Sequence, residues 1–216
     1  IFPTRVFQPG GEPVLKDGSN NCKIGGDVLK GRLSGARIYT LTLEERATCP
    51  KSCAIWRGCY GNSMQHPRRW KHGPQLESMI RTEVAALCLI FDKILIRLHV
   101  LGDFYNLPYV ALWHDLMVEF SGLHVFGFTA HQRGTVMGDA IADLRDLMPE
   151  RFCVRTSGTT GKWGSFTIDF PTEKPRLGDA IVCPEQAEAL AGKPGRHCGN
   201  CALCWHSDAP IVFVEH

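Results

Sequence analysis

The residues with the clearest chemistry are cysteines close to the end of the chain. Residues 183–204 read C-P-E-Q-A-E-A-L-A-G-K-P-G-R-H-C-G-N-C-A-L-C, which sets Cys183, Cys198, Cys201 and Cys204 in one short stretch. The last three form a C-x-x-C-x-x-C run. Three thiolates so spaced are too crowded to serve two separate tetrahedral zinc ions. They suit a 4Fe-4S cubane, where each sulfur takes a different iron corner. Cys183 is the nearest candidate for the fourth ligand. Zinc is the alternative, although its sites normally use two well-separated Cys or Cys/His pairs and here only Cys183 stands apart.

A second group lies earlier. Cys49, Cys53 and Cys59, with three and then five residues between them, sit among Pro, Lys, Arg and Gly, a loop composition. Three thiolates hold three irons of a four-iron cubane and leave the fourth open. The neighbouring Lys51 and Arg57 are expected to favour thiolate over thiol. The remaining cysteines read differently: Cys88 falls on the apolar stripe of a helix and Cys153 inside a strand, both core positions, while Cys22 lies in an irregular segment as a packed or exposed thiol, with a ligand role as the alternative.

One local basic concentration, His66, Arg68, Arg69 and Lys71 interleaved with Trp70, has the makings of a phosphate-backbone contact; a solvated face is the competing reading. The chain as a whole is not basic: 24 Lys and Arg against 22 Asp and Glu leave +2, so net charge names no partner. At 216 residues a single domain buries enough surface to fold without disulfides, so ten cysteines call for metal ligation in a reducing compartment. The first thirty residues, with Pro3, Pro9 and Pro13 and no apolar run, do not read as a signal peptide or anchor, and nothing reads as a membrane span. A cytoplasmic protein is expected.

These groups must be positioned by regular elements. Residues 1–35 read as an irregular N-terminal arm. Residues 36–43 alternate as a strand that runs into the first cysteine loop. Pro74 opens a helix over 75–92, with Leu76, Met79, Ile80, Val84, Leu87, Cys88 and Phe91 at three- and four-residue spacing. The continuous apolar run 94–101 predicts a buried parallel strand. A helix over 108–120, a strand over 123–129, a helix over 136–148 and a strand over 151–157 follow. Apolar patches at 165–170 and 179–182 are candidate later strands, and 211–215 a final one. This alternation predicts an α/β fold, a partial (β/α) barrel like part of a TIM barrel or an open parallel sheet, with a Cys-rich C-terminal extension. The expected division is the arm 1–35, a parallel β/α domain 36–182 and a metal-binding tail 183–216. Polar residues gather at the strand ends: Asp103, Tyr105 and Asn106; Thr129, His131 and Gln132; Arg155, Thr156 and Ser157. In parallel α/β architectures that edge takes the ligand.

The layout resembles the radical SAM superfamily in its three-cysteine loop after the first strand (Cys49, Cys53, Cys59) and in Leu101-Gly102-Asp103, similar to a reduced Gly-Gly-Glu element. The superfamily usually has three then two residues between its cysteines. The resemblance implies a 4Fe-4S cluster in the loop, SAM at its open iron, Gly102 and Asp103 at the SAM ammonium, and Thr129, His131, Gln132 and Arg155 lining a substrate site. Over residues 36–206 the chain is also similar to a family of small Cys-rich proteins encoded by phages and mobile elements. The shared elements are Cys59-Tyr60, Gly102-Asp103, Trp113, the set Gly127, Thr129, His131 and Gln132, and a C-P…C-x-x-C-x-x-C tail. That likeness implies no particular reaction. The expectation is an iron–sulfur protein with radical-SAM-like activity; the alternative is an iron–sulfur or zinc protein that binds nucleic acid or passes electrons without SAM.

Overall fold

The computed structural model describes residues 5–64, 66–168, 178–193 and 195–214. Its frame is a mostly parallel sheet. Strand β3 (Arg37–Thr40) pairs in parallel with β5 (Ile94–Leu98), β5 with β6 (Leu123–Thr129), β6 with β7 (Phe152–Ser157), and β7 with β8 (Gly164–Ile168). Beyond β8 the order is β10 (Ile211–Val214) and then β9 (Ile181–Val182), both parallel. At the other edge β2 (Lys16–Asp17) pairs antiparallel with β3. A separate parallel pair joins β1 (Val6–Phe7) to β4 (Arg69–Trp70). The arm therefore supplies an edge strand and the tail supplies β10, so all three stretches of the expected division share one sheet.

The connecting helices start where their sequences dictate. Helix α2 (Pro74–Ile90) opens on a proline, whose missing N–H is one of the helix's orphans in any case. Helix α3 (Leu107–Glu119) is capped by Asn106, whose side chain accepts from Tyr109 N at 2.8 Å. Helix α4 (Val136–Leu147) is capped by Thr135, whose Oγ1 accepts from Gly138 N at 3.1 Å. All three pack on one face of the sheet. Leu76, Ile80 and Val84 of α2, Trp113 and Leu116 of α3, and Ile141 and Leu144 of α4 meet Ile94, Ile96, Val125 and Val154. Each such aliphatic contributes roughly 1.5–3 kcal/mol.

The opposite face, presenting Ile38, Leu95, Phe126 and Cys153, is covered by chain ends instead of helices. Ile24, Val28 and Leu33 of the arm and Ala202 and Trp205 of the tail complete that second core. The sheet is consequently buried on both faces, and the strands read as apolar runs.

The strand expected over 94–101 stops at Leu98. His99 turns inward and meets the Tyr109 hydroxyl at 3.0 Å. Residues 99–101 keep contact with the segment after β3 through Val100 N to Leu41 O at 2.8 Å. Of the later apolar patches, 165–170 corresponds to β8, with residues 169 and 170 outside the described residues, and 179–182 to the two-residue β9. The final strand covers 211–214, residue 215 lying outside the described residues. No helix among the described residues is long and apolar enough to cross a membrane.

Candidate functional site

Because β3, β5, β6 and β7 run parallel, their C-terminal ends share one edge, and the first cysteine loop leaves from it. The loop enters through helix α1 (Glu45–Thr48), whose C-cap is Cys49. Its base is fixed by a buried ion pair, Arg69 Nε to Glu45 Oε2 at 2.7 Å. The same guanidinium donates to the carbonyls of Gly61 at 2.9 Å and of Met64 and Pro67 at 3.1 Å. Arg46 stacks over Trp56 and donates to its carbonyl at 2.6 Å. Cys49, Cys53 and Cys59 are half-buried and unbridged. Burial pushes the Cys49 thiol well up, and the negative charge of Asp103 and the other two thiols adds to it; burial also raises Cys53, opposed in part by Arg46. The three sulfurs thus lie within electrostatic reach of one another and of Asp103. Lys51 and Arg57, expected to favour the thiolates, are exposed. A bound cation would draw Cys49 and Cys53 toward the ionised form that ligation requires.

Asp103 is the node of the strand-end group. Its Oδ1 accepts from Phe104 N at 2.8 Å and its Oδ2 from Ala130 N at 2.7 Å. Its own N–H donates to Thr48 Oγ1 at 3.1 Å, directly before Cys49. Asp103 therefore meets the cysteine loop through its backbone N–H and the end of β6 through its carboxylate. Burial raises its pKa, against the lowering effects of His131 and of these donors. Gly102 has φ +90°, and a Cβ there would lie 2.5 Å from Leu43 Cβ and 2.8 Å from Thr48 Oγ1; close packing of loop on strand end demands a glycine.

His131 joins the same group. Its Nε2–H donates to Phe104 O at 2.8 Å, which leaves Nδ1 as the acceptor. Thr129 Oγ1 accepts from His131 N at 3.1 Å, and Gln132 Nε2 donates to Ala130 O at 3.1 Å and Ser157 O at 2.8 Å, bridging the ends of β6 and β7. Gly127 is fixed by packing as well, since a Cβ would stand 1.4 Å from Leu98 O. Arg155 does not belong here. It is fully buried on the opposite face, where Nη1 donates to Ala209 O at 2.7 Å and Nη2 to Ser207 O.

The tail folds as three short turns against that opposite face: α5 (Pro184–Leu190), α6 (Cys198–Cys201) and α7 (Leu203–His206). Cys183 caps α5, and Ala202, in the left-handed region at φ 65°, separates α6 from α7. This reversal brings Cys183, Cys198, Cys201 and Cys204 around one cavity of about 20 Å³, bordered also by His197 and Trp205. That volume is comparable to one or two waters. The thiols border the cavity without closing on one point: among the described residues, no three His, Cys, Asp or Glu side chains are arranged to hold a metal ion. Burial pushes Cys198 and Cys183 up and Cys204 up to about 11. The buried Trp205 Nε1 has no acceptor among the described residues. A sulfur-rich donor set around a common cavity, with an unused N–H beside it, fits a thiolate-bound metal or cluster.

The basic segment is dispersed. Arg69 is committed to Glu45, and Trp70 is core, its Nε1 donating to Val14 O at 3.2 Å. Arg68 pairs with Glu12 and stacks on Phe7, leaving His66 and Lys71 exposed. A surface phosphate contact built on Arg69 and Trp70 is corrected by their burial. Cys22 is exposed, Cys88 half-buried and Cys153 buried, its Sγ 3.4 Å from Pro149 O. One residue that pattern reading passed over faces the tail: Arg97, the single charge in I-L-I-R-L. Comparison with family models, curated proteins and solved structures gives no match to this chain.

Proposed function

We propose that this is an iron–sulfur protein with two thiolate sites on one parallel β/α scaffold. Cys183, Cys198, Cys201 and Cys204 hold a 4Fe-4S cluster in the tail, and Cys49, Cys53 and Cys59 form a three-thiolate site for radical-SAM-like chemistry. The observation that carries the reading is the common cavity of the four tail cysteines, gathered from residues 183 to 204 by the reversal at Ala202. The serial order of β3, β5, β6, β7 and β8, with α2, α3 and α4 on one face, supports reading the sheet as a partial (β/α) barrel. In that frame the three-cysteine loop and the strand-end group occupy the edge where such scaffolds bind ligand.

SAM at the open iron of a three-thiolate cluster would supply reductive bond cleavage. The chain's own part is positional. Arg69 and Glu45 hold the loop base, Asp103 locks the loop to the strand ends, and Phe104 O fixes one nitrogen of His131, leaving Nδ1 free of that bond. Gly102 and Asp103 would lie beside the SAM ammonium.

A second reading, electron transfer or a structural metal without SAM, is favoured by one observation: both Asp103 oxygens already serve backbone donors and the residue is 2% exposed. For the tail, zinc held by the same four cysteines is the alternative. Anaerobic purification with iron, sulfide and zinc analysis and an absorption spectrum separates these. Iron with equimolar sulfide supports the proposal; colourless protein with stoichiometric zinc removes it.

A further inference from the structure

Arg97 occupies an unusual position. It lies on the face of β5 opposite the helices, one step beyond the buried Leu95, and is half-buried. Its guanidinium stands 4.5 Å from the Phe128 ring centroid and 5.4 Å from that of Phe126. Among the described residues its side chain makes one hydrogen bond, a long one from Nη1 to Leu98 O at 3.4 Å, and no carboxylate lies within ion-pair distance. Two phenyl faces offset part of the desolvation of this cation, but they do not neutralise it.

The cluster beneath those rings carries two of the tail cysteines. Phe126 is also the ring that Trp205 meets edge-on at 4.8 Å, and Cys198 and Cys204 pack against the same cluster. Toward the other cysteine group, Tyr60, the neighbour of Cys59, donates to the carbonyl of Val100, three residues beyond Arg97. The positive charge of Arg97 is felt by Cys198, Cys204 and Tyr60 alike. Arg155, held by the carbonyls of Ser207 and Ala209, is a second cation on this face and acts on Cys204 more strongly than Arg97 does, but Arg97 is the cation that also reaches Cys198.

Four thiolates outnumber the positive charge of a zinc ion or of a cubane core, so a loaded tail centre is an anion embedded against an apolar sheet face. Such an anion needs a counter-charge. We propose that Arg97 is that counter-charge, a positioning and tuning residue that stabilises the loaded tail centre and extends its field to the loop at Cys59. This rests on the reading that the tail binds a metal or cluster, and it adds that the sheet supplies the balancing cation.

The test compares anaerobically purified wild type with Arg97→Gln, Arg97→Lys and Phe128→Glu, the last placing a carboxylate beside the guanidinium and neutralising it in place. Far-ultraviolet circular dichroism checks folding. The readouts are metal content, the rate of metal loss to a chelator and, for an iron-loaded centre, the midpoint potential by spectroscopic titration. Arg97→Gln and Phe128→Glu should lose metal at least about tenfold faster and shift the potential to more negative values, because a nearby positive charge favours the more negative oxidation state. Arg97→Lys should stay close to wild type. A loaded Arg97→Gln or Phe128→Glu protein with wild-type retention and potential overturns the inference and leaves the metal reading standing, as does Arg97→Lys behaving like Arg97→Gln. Wild type without metal overturns both. Unchanged metal retention together with lost stabilisation by added phosphate would assign the guanidinium to a diffusible anion, again overturning it.

Discussion

Replacing Arg69 by Met should be among the most damaging single changes in the chain. The guanidinium is 2% exposed, and it holds the buried carboxylate of Glu45 at 2.7 Å and three backbone carbonyls of the loop that follows Cys59. Methionine fills most of the volume, so packing is nearly conserved, but Glu45 is left as a buried charge without a partner. Breaking a buried pair from one side costs about 3–5 kcal/mol. The loss of donors at Gly61, Met64 and Pro67 adds to this, at about 1–3 kcal/mol for each carbonyl that water cannot reach. Against a typical total of about 5–15 kcal/mol, the variant should be marginal. Urea unfolding at neutral pH measures it. Glu45→Leu alone should also destabilise, because it strands the guanidinium, whereas the double variant should recover part of the loss and give a coupling of at least about 2 kcal/mol. A loss under about 1 kcal/mol for Arg69→Met, or strict additivity in the double variant, would refute the claim that this pair anchors the loop.

Three further outcomes follow from the same geometry. Gly127→Ala should cost at least about 2 kcal/mol in chemical unfolding, because its Cβ would sit 1.4 Å from Leu98 O and must part β5 from β6; wild-type stability would contradict that register. Burial holds His99 down to about 3 and His124 down to about 4, so in the unfolded chain, where both titrate near 6.5, each binds a proton that the folded state refuses. Their contribution is complete above about pH 6.5 and falls as pH drops toward those folded values, at about 1.4 kcal/mol per pH unit for each group. Asp103 and Glu83, raised by burial, act in the opposite sense, so the clean comparison is His124→Asn, whose unfolding free energy should fall less between about pH 6.5 and 5 than that of wild type; parallel profiles would contradict the assignment. Asp103→Asn should turn an amide N–H toward Phe104 N or Ala130 N and cost about 1–3 kcal/mol, and in a SAM-binding protein it should weaken SAM about ten- to a hundredfold by calorimetric titration. Unchanged stability sinks the node role, and no heat of SAM binding to the reconstituted wild type leaves the electron-transfer reading.

The parallel strands at 94–98, 123–129 and 152–157 and the helices between them were legible because burial on both faces makes the strands continuous apolar runs and the helices carry one stripe. What covers the second face was not legible. The arm joins the sheet by the two-residue β2, too short for any periodicity, and although β10 of the tail was legible, the residues of arm and tail that cover this face lie in turns and short helices where their apolar residues are scattered. Arg69 was misplaced for a related reason: a local run of basic residues looks the same whether an arginine meets water or a carboxylate 24 residues away. Arg97 was visible as a lone charge in an apolar strand, which is the signal to look for when a strand lies under a cysteine cluster. The strand ends that carry the polar residues were expected on one edge from parallel topology alone, and the parallel pairing of β5, β6 and β7 puts those strand ends there. Their division into a group around Asp103 and a separate Arg155 depends on side-chain direction, and β7 sends Arg155 to the opposite face.

The central claim is that the four tail cysteines hold one iron–sulfur centre. The most direct measurement is iron and acid-labile sulfide per chain for anaerobically purified wild type and Cys201→Ser. The account predicts iron and sulfide in near-equal amounts in wild type, with one cluster's share of both lost in Cys201→Ser alongside reduced thermal stability, since binding energy at such a site is also folding energy. Full iron and sulfide retained in Cys201→Ser, or wild type carrying zinc and no sulfide, would contradict it.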